Sequence, residues 1–280
     1  MPGTDATPPG DDTARGPLRY VALGDSQTEG VGDGDDTVGL RGFADRLAET
    51  LARHEPGVRY ANLAVRGRLA RHVREEQLAP ALALRPDLAT VVAGMNDLLR
   101  PSFDADEVGG HLDAVFAELT AHGTRVATLT FPDPARITPL ARPLAPRAAA
   151  LNSRIREAAR RHGVVVAETA REPVATDPRL WSPDRLHAGP LGHRIIAEAL
   201  AHALAVPGSD DSWTRPLPPD GPLPTGWRAA ATEARWAAGF LGPWLGRRLR
   251  GRSSGDGRTA RRPDLLPVRL PAGELPADRR

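Results

Sequence analysis

Five short apolar runs, each separated from the next by a longer segment of helical spacing, restrict this chain to few folds. The runs cover residues 18–23, 58–63, 88–93, 125–129 and 164–167. Between and after them lie segments 43–53, 69–84, 107–121, 145–161 and 191–205. In the first of these Phe43, Leu47 and Leu51 recur every four residues; in the third Leu112, Val115, Phe116 and Leu119 share one face. Strands alternating with helices predict a parallel sheet covered on both faces, joined by right-handed crossovers. The expected fold is α/β: a three-layer α/β/α sandwich around a five-stranded parallel sheet. In such sheets a site forms beyond the carboxyl ends of the strands.

The flanks read differently. Residues 1–16, rich in Gly, Pro, Asp and Thr, are expected to be a disordered leader. Residues 17–206 form the α/β domain, 207–226 a Pro/Gly-rich linker, and 227–280 a basic extension whose tail from Gly251 is expected to be irregular. Of the 280 residues none is Cys, which excludes disulfides and thiolate metal sites. The segment from Met1 to Pro17 has acids and no apolar core, so it does not read as a secretory signal. No run approaches the ~18–20 apolar residues of a membrane span. The expectation is a soluble cytoplasmic protein. The 37 basic residues, all Arg, nearly balance 35 acidic ones, and a net charge of +2 gives no reason to expect a nucleic-acid partner. No His-Glu-x-x-His or similar ligand spacing occurs, and Gly30, Gly32 and Gly34 sit among Asp33, Asp35 and Asp36, whose charge repels phosphate. Neither metal nor cofactor is expected.

Four short blocks carry chemistry. Gly24-Asp25-Ser26 closes the first apolar run, and Gly67 ends the block Asn62-Leu63-Ala64-Val65-Arg66-Gly67 after the second. Gly94-Met95-Asn96-Asp97 follows the third, and Asp184-Arg185-Leu186-His187 precedes the last helical segment. Ser26 is the candidate nucleophile, in a tight turn that exposes its hydroxyl, with Asp25 bracing the turn. His187 is the candidate base, and Asp184, three residues earlier, can orient it and stabilise its charged form. The backbone N–H groups of Ser26 and Gly67 and the side-chain amide of Asn96 are candidate donors for an oxyanion. Each has a plainer alternative: Ser26 as a helix cap, Asp184 and His187 as loop residues, Gly67 as a turn glycine, Asn96 as a cap. Asp97 suits the capping role better. Arg66 and Arg68, beside Gly67, are expected to point to solvent, or else to narrow the mouth and favour anionic substrates. His193 competes with His187 but falls inside the last helix, where a packed or surface role is expected.

The order and spacing of these blocks resemble the SGNH/GDSL hydrolase family over residues 18–205. Gln27 stands where the family's name-giving motif has leucine. The resemblance implies a flavodoxin-like sheet and cofactor-free cleavage of esters or thioesters through an acyl-enzyme. It also implies a Ser26–His187–Asp184 triad, and an oxyanion hole of Ser26, Gly67 and Asn96. Acyl transfer to another alcohol is an alternative with the same site; a membrane-associated binding protein is a more distant one. The expected partner is a small ester substrate.

The extension adds a second question. Between residues 228 and 262 nine Arg face only Glu233 and Asp256, and Trp236, Phe240 and Trp244 recur every four residues beside Leu241, Leu245 and Leu249. A basic amphipathic helix of this kind suits peripheral contact with an anionic membrane. Pro243 interrupts it, which points instead to an aromatic stripe packed on the body of the protein or on a second subunit.

Overall fold

The computed structural model of the protein describes residues 16–219, 231, 234–242 and 254–270. The leader up to residue 15, the linker residues 220–226, and Trp227, Trp244, Leu245 and Leu249 lie outside the described residues.

The chain begins with β1 (Arg19–Gly24), a short helix α1 (Ser26–Glu29), a minimal hairpin of β2 (Gly34–Asp35) and β3 (Gly39–Leu40), and α2 (Phe43–His54). Strand β4 (Arg59–Asn62) leads to α3 (Ala70–His72), a π-helical turn (Val73–Gln77) and α4 (Leu78–Ala83). Then come β5 (Leu88–Val92), α5 (Met95–Leu98), α6 (Ala105–Ala121) and β6 (Arg125–Leu129). They are followed by α7 (Pro134–Ile137), a 3₁₀ turn (Pro139–Leu144), α8 (Ala145–His162), β7 (Val165–Ala167) and α9 (Pro190–Ala203). A last strand, β8 (Arg262–Pro267), comes from the tail.

The sheet runs β7-β6-β5-β1-β4-β8. Its first five strands are parallel, and in chain order they reproduce the flavodoxin-like sequence 2-1-3-4-5. The strand order reverses beside β1, so the crevice beyond β1 and β5 is where a site is expected. Helix α2 packs on α9, and α6 on α8. Tyr20, Val21, Ala22 and Leu23 of central β1 are fully buried, as are Phe43 and Leu47 of α2 and Val115, Phe116 and Leu119 of α6. The apolar periodicity therefore located the core correctly. Helix α6 starts two residues earlier than its spacing suggests because the Asp104 side chain caps it, accepting from the N–H groups of Asp106 and Glu107.

Among the described residues the sheet has six strands, not five. The tail, expected to be irregular, supplies β8 antiparallel to β4. An edge strand tolerates the residues that argued against it: Pro263 and Pro267 need no partner on the solvent side. The Arg262 guanidinium lies 5.1 Å from the centre of the Tyr60 ring while its Nε donates to the Tyr60 carbonyl. Segment 69–84, read as one helix, is broken by the π-helical turn. After α9 the chain stays packed at least to Trp213, which is buried and donates to His202 Nδ1 at 3.2 Å. Among the described residues no helix is long and apolar enough to cross a membrane.

Candidate active site

Strand β1 delivers Ser26. A Cβ on Gly24 would come within 2.3 Å of both the Val92 carbonyl and Thr28 Oγ1, so only glycine lets the chain turn this close to β5. Gln77, from the π-helical turn, grips the same residue twice: Oε1 accepts from Gly24 N and Nε2 donates to Gly24 O, both at 2.8 Å. Asp25 then caps α1 by accepting from Gln27 N. Ser26 is the first residue of that helix, where a backbone N–H has no intrahelical acceptor.

Asp184 and His187 come from a tight loop before α9. Arg185 adopts φ 56°, the left-handed region, costing about 1–2 kcal/mol. That bend folds the loop so that Asp184 Oδ1 accepts from the backbone N–H groups of Leu186 and His187 and from Ser182 Oγ. Asp184 Oδ2 is left facing His187 Nδ1 at 2.7 Å, and His187 Nε2 lies 2.9 Å from Ser26 Oγ. Burial alone would raise the Asp184 carboxyl, but the bonds from His187 and Ser182 outweigh it and hold it well below the usual carboxylate range. It stays ionised and orients the ring so that His187 Nε2 faces the serine.

Two residues of the first block buttress this loop. Gln27 Nε2 donates to the Leu186 carbonyl and its Oε1 accepts from Ala188 N, both at 3.2 Å, so one side chain brackets His187. Gly32 presses on the same stretch: a Cβ there would sit 2.1 Å from the Ala188 carbonyl. His193, the competing histidine, is fully buried; its Nδ1 accepts from Phe43 N and Nε2 faces the Val31 carbonyl. Burial lowers its pKa to about 4, and it serves as a neutral strut.

The second and third blocks arrive from β4 and β5. Asn62 fixes the first by donating to the Thr28 carbonyl and Tyr60 hydroxyl. Gly67 has φ 78° in the following turn. Arg66 does not point to solvent: it is bound by Glu29 and Asp36, with Nη2 at 2.7 and 2.9 Å from them. Arg68 pairs with Glu76 at 2.9 Å. Neither guanidinium is therefore placed to favour an anionic substrate, because carboxylates already face both. Asn96 lies within α5 rather than capping it, and its Nδ2 is 3.0 Å from Asp25 Oδ2 and 3.1 Å from the Arg68 carbonyl. Asp97 ties α5 to α3 by accepting from Ala70 N. Burial pushes the Asp25 carboxyl up to about 7, against the bond from Gln27 N.

Ser26, Gly67, Asn96, Asp184 and His187 thus come from four separate segments and line one cavity of about 290 Å³. The rest of its wall is chiefly apolar, with Met95, Leu99, Ile137, Leu144 and Trp181 among the contributors. Sequence reasoning missed Gln77, Gln27 and Trp236. Trp236 also lines the cavity, and its Nε1 donates to the Asp184 carbonyl at 3.1 Å. The aromatic stripe was expected to pack on the body of the protein but not at the site, Gln27 stood out only as the motif's missing leucine, and nothing in the residue pattern marks Gln77.

Fold and site together define an α/β protein with a Ser–His–Asp constellation at the topological switch point of a flavodoxin-like sheet. Residues 22–195 match the GDSL-like Lipase/Acylhydrolase family, and the chain belongs to that family. Among solved structures it is similar to LAE5, an alpha/beta hydrolase enzyme from the metagenome of Lake Arreo, Spain. That match has 22% identity and a TM-score of 0.57, covering 67% of this chain and 95% of LAE5. It is similar also to Axe2, an acetylxylan esterase from Geobacillus stearothermophilus, at 19% identity and a TM-score of 0.57, covering 71% of this chain and 96% of Axe2. At these identities the likeness concerns the fold. No curated protein matches the chain in sequence.

Proposed function

We propose that the protein hydrolyses carboxylic esters through an acyl-enzyme on Ser26. The observation that carries this reading is the continuous relay Asp184 Oδ2–His187 Nδ1 (2.7 Å) and His187 Nε2–Ser26 Oγ (2.9 Å), opening on an apolar cavity. Ser26 Oγ attacks the ester carbonyl carbon as its proton passes to His187 Nε2. Asp184 stabilises the imidazolium and fixes the ring. The negative oxygen of the tetrahedral species is held by the N–H groups of Ser26 and Gly67 and by Asn96 Nδ2, which turns an N–H from the Arg68 carbonyl toward it. As the carbon–alkoxy bond breaks, His187 returns the proton to the departing alcohol. Water, deprotonated by His187, then attacks the acyl-Ser26 ester, and the proton returns to Ser26 as the carboxylic acid leaves.

The test is turnover of p-nitrophenyl butyrate by wild type and Ser26→Ala, with fluorophosphonate labelling followed by peptide mass analysis. Turnover confined to the wild type, with the label on the Ser26 peptide, is the expected result. Turnover undiminished in Ser26→Ala, or a label elsewhere, refutes the assignment.

A further inference from the structure

Residues 234–242 lie beyond the stretch that matches the family, yet two of them wall the cavity that contains Ser26. Trp236 is anchored by two contacts. Its Nε1 donates to the Asp184 carbonyl, and the Arg185 guanidinium lies 5.1 Å from the centre of its ring. The next turn is π-helical, from Ala237 to Leu241, and it presents Phe240 to the same cavity. Leu140, from the 3₁₀ turn after α7, lines the cavity too. Leu140 is 52% exposed and Phe240 43%, so both keep apolar surface open at the edge of the cavity. The tail contributes to the wall as well. Ser254 lines the cavity, and Gly255 approaches the Arg66 carbonyl so closely that a Cβ would lie 2.0 Å from it.

We propose that Trp236 and Phe240 roof an acyl pocket, and that this C-terminal segment selects straight aliphatic acyl chains of medium length. The inference rests on Ser26 being the acylated residue. Three features argue for an aliphatic occupant. The cavity wall beyond the Ser26–His187 end is chiefly apolar. The two arginines beside Gly67 are faced by carboxylates, and the Arg185 guanidinium sits over the Trp236 ring. The rim is made of Leu140 and Phe240, which an aliphatic chain would cover as it passes between them. Size bears on the length. A cavity of about 290 Å³ far exceeds the space of one or two waters that an acetyl group would fill, so an acetyl group leaves most of the apolar wall uncovered. Trp236 is both wall and positioning residue, because the bond that places its ring also holds the loop carrying Asp184.

The test is the chain-length profile of kcat/KM on p-nitrophenyl esters from acetate to palmitate, for wild type, Trp236→Ala, Trp236→Phe and Phe240→Ala in the full chain. Each buried methylene is worth about fourfold. Wild-type kcat/KM is expected to climb from acetate to about octanoate and then level or fall. Phe240→Ala and Trp236→Ala should lower the octanoate-to-acetate ratio at least tenfold; a ratio is insensitive to the fraction of enzyme that folds. Trp236→Phe keeps a ring but loses the bond to Asp184, so it should keep the ratio and lower kcat. Ser26-dependent turnover with the same ratio in all four proteins overturns the roof. A wild-type maximum at acetate overturns the pocket. Should no ester be turned over, the Ser26 reading fails by itself, and the pocket is still read by tryptophan fluorescence in Ser26→Ala. There octanoate should bind at least tenfold more tightly than acetate and lose that advantage in Ser26→Ala/Phe240→Ala; equal affinities overturn it.

Discussion

Replacing Gln27 by leucine tests whether His187 is held from behind. Leucine has nearly the volume of glutamine, and it restores the residue of the family's name-giving motif, so packing is conserved while both polar atoms vanish. Ala188 is 2% exposed, and its N–H donates to Gln27 Oε1. Leaving such a donor unpartnered costs about 1–3 kcal/mol. The Leu186 carbonyl loses its bond from Nε2 in a more open setting, about 0.5–1.5 kcal/mol. The loop can recover part of this only by shifting, and a shift carries His187 Nε2 away from its 2.9 Å contact with Ser26 Oγ. Taking about 2 kcal/mol as the part felt in the transition state, kcat falls roughly thirtyfold. KM should change little, because Gln27 stands outside the wall of the cavity. The assay is steady-state kinetics on p-nitrophenyl butyrate with a thermal melt, where the same 2 kcal/mol lowers Tm by about 4–8 °C. Gln27→Glu, which keeps an acceptor for Ala188 N–H, should fall between. A kcat within twofold of wild type and an unmoved Tm would refute the clamp.

Three further perturbations follow from the same geometry. Asp184→Asn removes the charge that stabilises the His187 imidazolium, and kcat on p-nitrophenyl butyrate should drop by about 10⁴ with Tm little changed. Asp25, raised to about 7 by burial, ionises near 3.9 in the unfolded chain, so between these values the folded state holds a proton that the unfolded state has released. Stability should therefore decline as pH rises from about 4 to 7, by about 4 kcal/mol at most, and urea melts of Asp25→Asn should be flatter across that window. Leu265 of β8 packs against the core, and Leu265→Asp should lower Tm by at least 4 °C through loss of the edge strand, measured by calorimetry.

The parallel sheet was legible because buried strands must be apolar and their crossover helices amphipathic, and both periods are written in consecutive residues. Ser26, Asn96, Asp184 and His187 were legible because each sits in a short block next to a strand end or helix start. Other features depend on residues far apart in the chain. Gln77 reaches Gly24 only because a π-helical turn rotates it there, and a π-turn has no sequence period of its own. Strand β8 was hidden by Arg262, Pro263 and Pro267, residues that oppose a central strand but suit an edge. Arg66 looked solvent-bound because Glu29 and Asp36 are neighbours only after β1 and β4 pair.

The antiparallel strand β8 also sets an order of assembly. The five parallel strands and the Asp184–His187 loop leave the ribosome well before Arg262, so β4 remains an open edge while the intervening chain is made. At about 5–20 residues per second that interval lasts several seconds. During it the unpaired N–H and C=O groups of β4 can recruit another nascent chain. Arg262 ends the exposure by seating its guanidinium on Tyr60 and its Nε on the Tyr60 carbonyl. The closing strand follows, in the same extension, the segment that brings Trp236 and Phe240 to the cavity, so one stretch of chain both seals the sheet and lines the site.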